Sequence, residues 1–185
     1  MEYIEQIKNY KPINEQEKND RELILECIEK YDNILTRDNK ICHITSSGFI
    51  VNKNRDKVLM IHHNIYNSWG WTGGHADGDS DLLNVAIKEA KEETGIKSVK
   101  PITDEICSIE ILTVNSHIKR GNFVSAHLHL SVAYILEADE NEELFIKEDE
   151  NSGVRWIPID EIEENVNEEH MISIYNKLIQ KAKNI

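Results

Sequence analysis

Cysteine, proline and aromatic residues are scarce in this chain, and so is positive charge. Of 185 residues, three are cysteine (Cys27, Cys42, Cys107), three are proline and 6% are aromatic. The cysteines are widely spaced with no CxxC pair, which reads as three reduced, partly buried thiols rather than disulfides or a thiolate zinc site. Lysine and arginine number 21 against 34 aspartates and glutamates, a formal net charge of −13. That balance repels nucleic-acid polymers but admits a small polyanion, provided a cation stands between it and the protein. Long apolar runs are missing too: VAYIL at 132–136 falls far short of a membrane span. The opening MEYIEQIKNY lacks the basic start and apolar stretch of a signal peptide, so the expected setting is the cytoplasm, with no membrane partner.

What is present suits one globular domain with an added helix or two: 39% hydrophobic and 30% charged residues. Residues 1–13 are weakly patterned. From Asn14 a helix is expected, with Asn14 and Glu17 resembling a capping box and Ile24, Cys27, Ile28, Tyr31 and Leu35 at helical spacing, ending near Asp38–Asn39. Residues 44–52 and 57–64 read as strands around a turn. The segment WGWTGGHADGD (69–79) holds four of the eight glycines and reads mostly as loop. A helix then runs from about Asp81 to Thr94, with Gly95 just past its end and Leu83, Ala86, Ile87 and Ala90 as its buried stripe. Strands follow at 105–114, 125–136 and 154–159, and a C-terminal amphipathic helix at 171–182. This order implies an α/β (α+β) fold, a sandwich on a mixed sheet.

Glu89, Glu92 and Glu93 crowd one face of the middle helix, at a cost of a few tenths of a kcal/mol for each like-charged pair. A divalent cation relieves that repulsion. Carboxylates on a rigid helix hold Mg²⁺ or Mn²⁺, hard ions that prefer oxygen and bridge readily to phosphates. Such a metal polarises phosphorus and acidifies a bound water, and a carboxylate not fully occupied by metal takes the proton.

The run GHADGDSDLLNVAIKEAKEETGI (74–96) resembles the Nudix box, G-x5-E-x7-R-E-U-x-E-E-x-G-U, with U a bulky apolar residue. Gly74, Glu89, Glu92, Glu93, Gly95 and Ile96 fall in register, and Trp69, Gly73 and Gly74 match the W-x-x-P-G-G that commonly precedes the box. The departures are Ser80 for the first glutamate, Lys88 for the arginine, Ala90 for the bulky residue and Thr72 for the proline. Ser80 and Lys88 cannot form the family's charged brace; Asp79 or Asp81 could pair with Lys88 instead, without arginine's planar fork. The resemblance implies a Nudix-like α/β/α sandwich over residues 41–185, including the C-terminal helix, with residues 1–40 a helical extension packed on the core. It also implies a pyrophosphohydrolase using Mg²⁺ or Mn²⁺, with Glu89, Glu92 and Glu93 as metal ligands and catalytic groups. The Gly73 carbonyl is implied as a further ligand, and Glu150, from the acids 148–150 ahead of Trp156, as another. The implied substrate is a nucleoside diphosphate linked to another group; a homodimer is left open.

For contacts with such a substrate, the candidates are Gly74, His75, Lys119, Arg120, His127, His129 and Trp69. Lys119 and Arg120 concentrate positive charge beside a glycine, as a phosphate anchor would; a solvated pair is the alternative. His127 and His129 share one face of their strand, turned either to a substrate cleft or to solvent. Zinc is disfavoured there because no cysteine or third histidine has an obvious matching position. Trp69 either stacks on a nucleobase or packs beneath the glycines. Two competing functions stand beside hydrolysis: a nucleotide-sensing module, motivated by Ser80 and Lys88, and an isoprenoid-diphosphate isomerase-like enzyme, for which Cys107 has no supporting motif.

Overall fold

A computed structural model describes residues 2–64, 67–119, 121–147 and 151–185, in which five helices surround a mixed sheet. The weakly patterned N-terminus begins with a helix, α1 (Glu2–Asn9), that buries Tyr3 and Ile7 one turn apart. Eight residues are too few to hold a helix alone in water, so packing makes this one. In α2 (Glu15–Lys30) the Asn14 side chain accepts the Glu17 N–H at 2.8 Å, as its spacing predicts. The Glu17 carboxylate reaches back to the Ile13 N–H at 2.9 Å. The helix stops at Lys30, short of the expected Asp38–Asn39. Tyr31 turns extended, and Asp32–Asn33 favours the turns that follow, through which Ile34 is buried.

Strand β1 (Cys42–Val51) is buried at all ten positions and organises the sheet. It runs parallel to β9 (His127–Ala138), from Cys42 opposite Leu128 to Val51 opposite Glu137. Its other side is shared by two antiparallel strands, β2 (Lys57–His63) near its end and β4 (Thr72–His75) along its middle. Strands β3 (Ser68–Gly70) and β10 (Asn151–Pro158) pair with β2, while β5 (Val99–Pro101) and β6 (Ser108–Val114) pair with β9. A separate hairpin joins β7 (His117–Lys119) to β8 (Asn122–Val124). The remaining helices are α3 (Leu82–Thr94), α4 (Ile162–Asn165) and α5 (Glu169–Asn184).

Alternation along β1 and β9 splits the core in two. Ile44, Ile50, Leu130, Val132, Tyr134 and Leu136 pack towards α1, α2 and α3. Phe49, Val51, Ala133 and Ile135 pack instead with Tyr175, Leu178 and Ile179 of α5. The glycine-rich segment, expected to be loop, contributes β3 and β4. Glycine permits this pairing: a Cβ on Gly73 would lie 2.5 Å from the Ser47 Oγ and 2.9 Å from the Ser46 carbonyl oxygen.

A buried ionic group ties α2, β6 and α5 together. Lys177 Nζ lies 2.6 Å from Glu17 Oε1 and 2.5 Å from Glu110 Oε1, while Tyr10 donates to Glu17 at 2.7 Å. Lys181 adds a bond to the Cys107 carbonyl at 2.6 Å. Burial pushes the Glu17 carboxyl up, but hydrogen bonds from Lys177, the Ile13 N–H and Tyr10 outweigh it and hold it below the usual carboxylate value. For Glu110 burial wins over Lys177 and Ser108, and the carboxyl is raised.

Two outcomes follow from this packing. Gly73→Ala must displace backbone atoms of β1, so it is expected to cost about 1–3 kcal/mol, measured by urea unfolding; an unchanged midpoint would contradict the close approach. Lys177→Met removes the nearest cation from both buried carboxylates, leaving Glu17 with Lys181 at 3.9 Å. The expected loss is about 3 kcal/mol at pH 7. Lys177 lowers both carboxyls, so without it both folded-state carboxyls move up, the variant's folded state binds more protons than the wild type's, and its deficit should narrow below pH 7. A deficit independent of pH would show that ionisation is not its source.

Candidate active site

Helix α3 is delimited as its sequence predicts. Asp81 caps it by accepting the Asn84 N–H at 3.0 Å, and Gly95 ends it with φ 76°, a left-handed conformation that glycine adopts without strain. Its buried face differs from the expected one. Leu82, Val85, Ala86 and Ala90 are buried, whereas Leu83 and Ile87 are only half-buried. The stripe is rotated by about one residue, and at that setting it continues through Glu89 and Glu93. The acidic side chains therefore do not all lie opposite the apolar ones.

The consequence is a division of the three glutamates. Glu93 is 3% exposed, and its Oε2 accepts the Gly73 N–H at 2.9 Å. Glu89 is half-buried and stands against Gly74, where an added Cβ would come within 2.5 Å of its carboxyl group. Gly74 thus makes room for the Glu89 carboxyl, while Gly73 makes room for β1 and offers Glu93 its N–H. Glu92 points outwards and forms a loose ion pair with Lys88 at 3.8 Å. Being exposed, that pair is worth only a few tenths of a kcal/mol.

Lys88 therefore finds its partner on its own helix, not in Asp79 or Asp81. Asp81 is occupied as the cap, and Asp79 accepts the Asp81 N–H at 2.9 Å. Ser80 is exposed. The loop before α3 is braced from another quarter, which sequence reasoning missed: Arg37 grips Asp77 with a two-pronged pair at 2.8 and 2.7 Å. The Gly78 N–H donates to the Leu35 carbonyl at 3.0 Å. Only an arginine falling among turn residues hinted at this, and nothing in its spacing to Asp77 did.

The other predicted residues scatter more. Trp69 packs between the Arg155 guanidinium, 4.4 Å above its ring, and His62, with Gly153 against its edge. Trp71 meets Tyr175 edge-on at 5.6 Å and donates its backbone N–H to the tyrosine hydroxyl. Lys119 ends β7, away from the main sheet's pairing. Arg120 and Glu150 lie outside the described residues. Asn151, which starts β10, reaches the Glu93 carbonyl with its side-chain amide at 3.4 Å. Cys107 is buried in the α5-side core, and burial pushes its thiol up.

His75, His127 and His129 come together, and His43 joins them from β1. Ring centroids of His43 lie 5.0, 4.9 and 5.1 Å from those of His75, His127 and His129. Burial, then the neighbouring His75, His43, His127 and His117, push the His129 imidazole down to about 2. Burial lowers His43 as well, so the His43 and His129 rings are neutral at physiological pH. The sequence supplied the pair on β9, but His43 and His75 were invisible as partners because strand pairing alone brings them there.

Residues 43–178 match the NUDIX domain family. Among solved structures, a C. elegans Ap4A hydrolase in a binary complex has TM-score 0.58 at 17% identity, covering 77% of this chain and 98% of that one. The E. coli dihydroneopterin triphosphate pyrophosphohydrolase has TM-score 0.56 at 13% identity, covering 75% and 95%. The NUDIX domain of Shewanella oneidensis NrtR, complexed with ADP ribose, has TM-score 0.55 at 16% identity, covering 85% and 97%. No curated protein matches the sequence. At these identities the structural likeness speaks for the fold, and among the described residues no helix is long and apolar enough to cross a membrane. The family match, by contrast, spans well over half of the 185 residues and includes the glycine strand and the glutamate helix: the chain belongs to the Nudix family.

Proposed function

We propose that this protein hydrolyses the pyrophosphate bond of a nucleoside diphosphate linked to another group, with Mg²⁺ or Mn²⁺ held by Glu89, Glu92 and Glu93. The observation that carries this reading is the seating of helix carboxylates on glycine backbone, Glu93 at Gly73 and Glu89 at Gly74. All-oxygen donors, one of them buried and one facing solvent, suit a hard cation that keeps several of its waters. Bound there, the metal would supply polarisation of the phosphoryl group and acidification of a water. The chain's own part is positional. The Gly73 N–H orients Glu93, the absence of a side chain at Gly74 lets the Glu89 carboxyl lie against the strand, and Glu92 points to solvent.

The proton of the attacking water passes, in this reading, to a carboxylate of the same group. Gly73 through its carbonyl, and Glu150, complete the proposed metal set. Lys119 and Arg120 are proposed to anchor a distal phosphate, with Gly74 beside the diphosphate. Ap4A and ADP ribose belong in the substrate panel because proteins of similar fold are named for or complexed with them.

A second reading, a nucleotide sensor with little or no turnover, draws on one observation: exposed Lys88 pairs loosely with Glu92 rather than bracing the loop. The panel, assayed for released phosphate or nucleotide with and without Mg²⁺ and Mn²⁺, separates the two. Hydrolysis should require metal, and Glu89→Gln or Glu93→Gln should lower turnover roughly 10²–10⁴-fold. Nucleotide binding without hydrolysis of any panel member would favour the sensor. The paired change Ser80→Glu with Lys88→Arg should keep Mn²⁺ affinity and leave turnover equal or higher, since it restores a forked cation near the loop. A clear drop with folding intact would mean that Lys88 and Glu92 are already arranged for catalysis.

A further inference from the structure

The histidine cluster has a geometry the glutamate site does not use. His43 and His129 are register partners across β1 and β9, and His75 lies opposite Thr45, two residues farther along β1. Strand alternation turns all three to one face of the sheet. The Gly74 position turns to the other, against Glu89. One ring nitrogen from each of His43, His75 and His129 lies within 4.8 Å of the other two. His127 packs its ring on His43 and His129 and holds its Nδ1 2.8 Å from the Ser125 carbonyl.

Two of the three rings carry a buried ring nitrogen without a hydrogen-bond partner. His43 is 4% exposed, and its Nδ1 sits 3.0 Å from the Asn39 carbonyl, so the proton belongs on Nδ1 and the lone pair on Nε2. Among the described residues, neither His43 Nε2 nor His129 Nε2 has a hydrogen-bond partner. Buried polar atoms without partners are uncommon and costly, and two of them meeting in one cluster call for a shared ligand. A cation satisfies both nitrogens at once, with the His129 proton on Nδ1 as on His43.

We propose that His43, His75 and His129 bind a transition-metal cation, best fitted by Zn²⁺, at a site separate from the carboxylate helix. Neutral imidazoles select zinc-like ions over Mg²⁺, which prefers oxygen. The carbonyl on His43 Nδ1 is the outer partner that commonly fixes a ligating imidazole and its tautomer. Tetrahedral zinc with Zn–N bonds of about 2.0–2.1 Å needs nitrogens about 3.3 Å apart, a closure that small ring rotations supply. Three protein nitrogens leave the fourth position to water. Such an ion would cross-link β9, β1 and β4, and β4 is the strand that carries Gly73 and Gly74 against the glutamates. The site would therefore steady the strand on which the carboxylates bear.

The test is calorimetric titration of metal-stripped protein with Zn²⁺, with the thermal midpoint and the visible spectrum of the Co²⁺ form as further readouts. One equivalent should bind and raise the midpoint, Co²⁺ should give the absorption of a tetrahedral site, and excess Mg²⁺ should not displace Zn²⁺. His75→Ala and His129→Ala, checked for folding by circular dichroism, should each weaken Zn²⁺ by more than about tenfold, the loss found even for outer-shell partners. Glu89→Gln and Glu93→Gln should leave Zn²⁺ affinity unchanged, which keeps this outcome apart from that of the hydrolase reading. Absence of saturable Zn²⁺ binding, or binding that survives both histidine changes, would overturn the proposal. So would binding lost through the glutamate changes.

Discussion

The parallel pairing of β1 with β9 is the constraint from which the rest of the molecule takes its places. Ten consecutive registers hold the two longest strands side by side, and every residue of β1 is buried. With both faces covered, the strand has to send alternate side chains into two different cores. One core belongs to α1, α2 and α3, the other to α5. The same pairing leaves the opposite side of β1 to be divided between β2 and β4, and it is β4 that meets the glutamate helix. His43 and His129 face each other because of that register and for no local reason.

On β4 the controlling feature is the missing side chain. A helix that carries carboxylates on its sheet-facing stripe would ordinarily be repelled by a strand of bulky residues. Gly73 lets β4 lie close against β1 and presents its N–H to Glu93, and Gly74 lets Glu89 lie against the chain. The Glu93 bond is charge-assisted and buried, which makes it stronger than a neutral bond between similar groups. The Arg37–Asp77 fork, together with the Gly78 bond to Leu35, ties the loop before α3 to the segment after α2. The N-terminal helices are therefore bonded to the site's approach as well as to the core, and Lys177 joins α5 to them from the other side.

Much of this was legible in order and in type. The cap at Asn14, the α3 boundaries at Asp81 and Gly95, the alternation on β9 and the amphipathic C-terminal helix all rest on local chemistry. Caps, left-handed glycines and periods of two or 3.6 residues are written within a few positions of one another. Where the reading went astray, the deciding partner was distant. Helix α1 exists because Tyr3 and Ile7 find a core. The glycine segment forms strands because β1 and β2 offer it edges, and Lys88 turns to Glu92 because both nearby aspartates are engaged with backbone N–H groups.

By itself, then, the sequence determined the spacing of Glu89, Glu92 and Glu93, the limits of their helix, and the family to which the chain belongs. Tertiary structure alone decided which of those glutamates is buried, which lies against glycine and which faces water. The rotational setting of a helix depends on the surface it packs against, and a stripe shifted by one residue changes every exposure along it. It likewise decided that His43, His75 and His129, scattered over 87 positions of chain, share one small volume. Register between strands is a property of the assembled sheet, and no span of sequence shorter than the sheet encodes it.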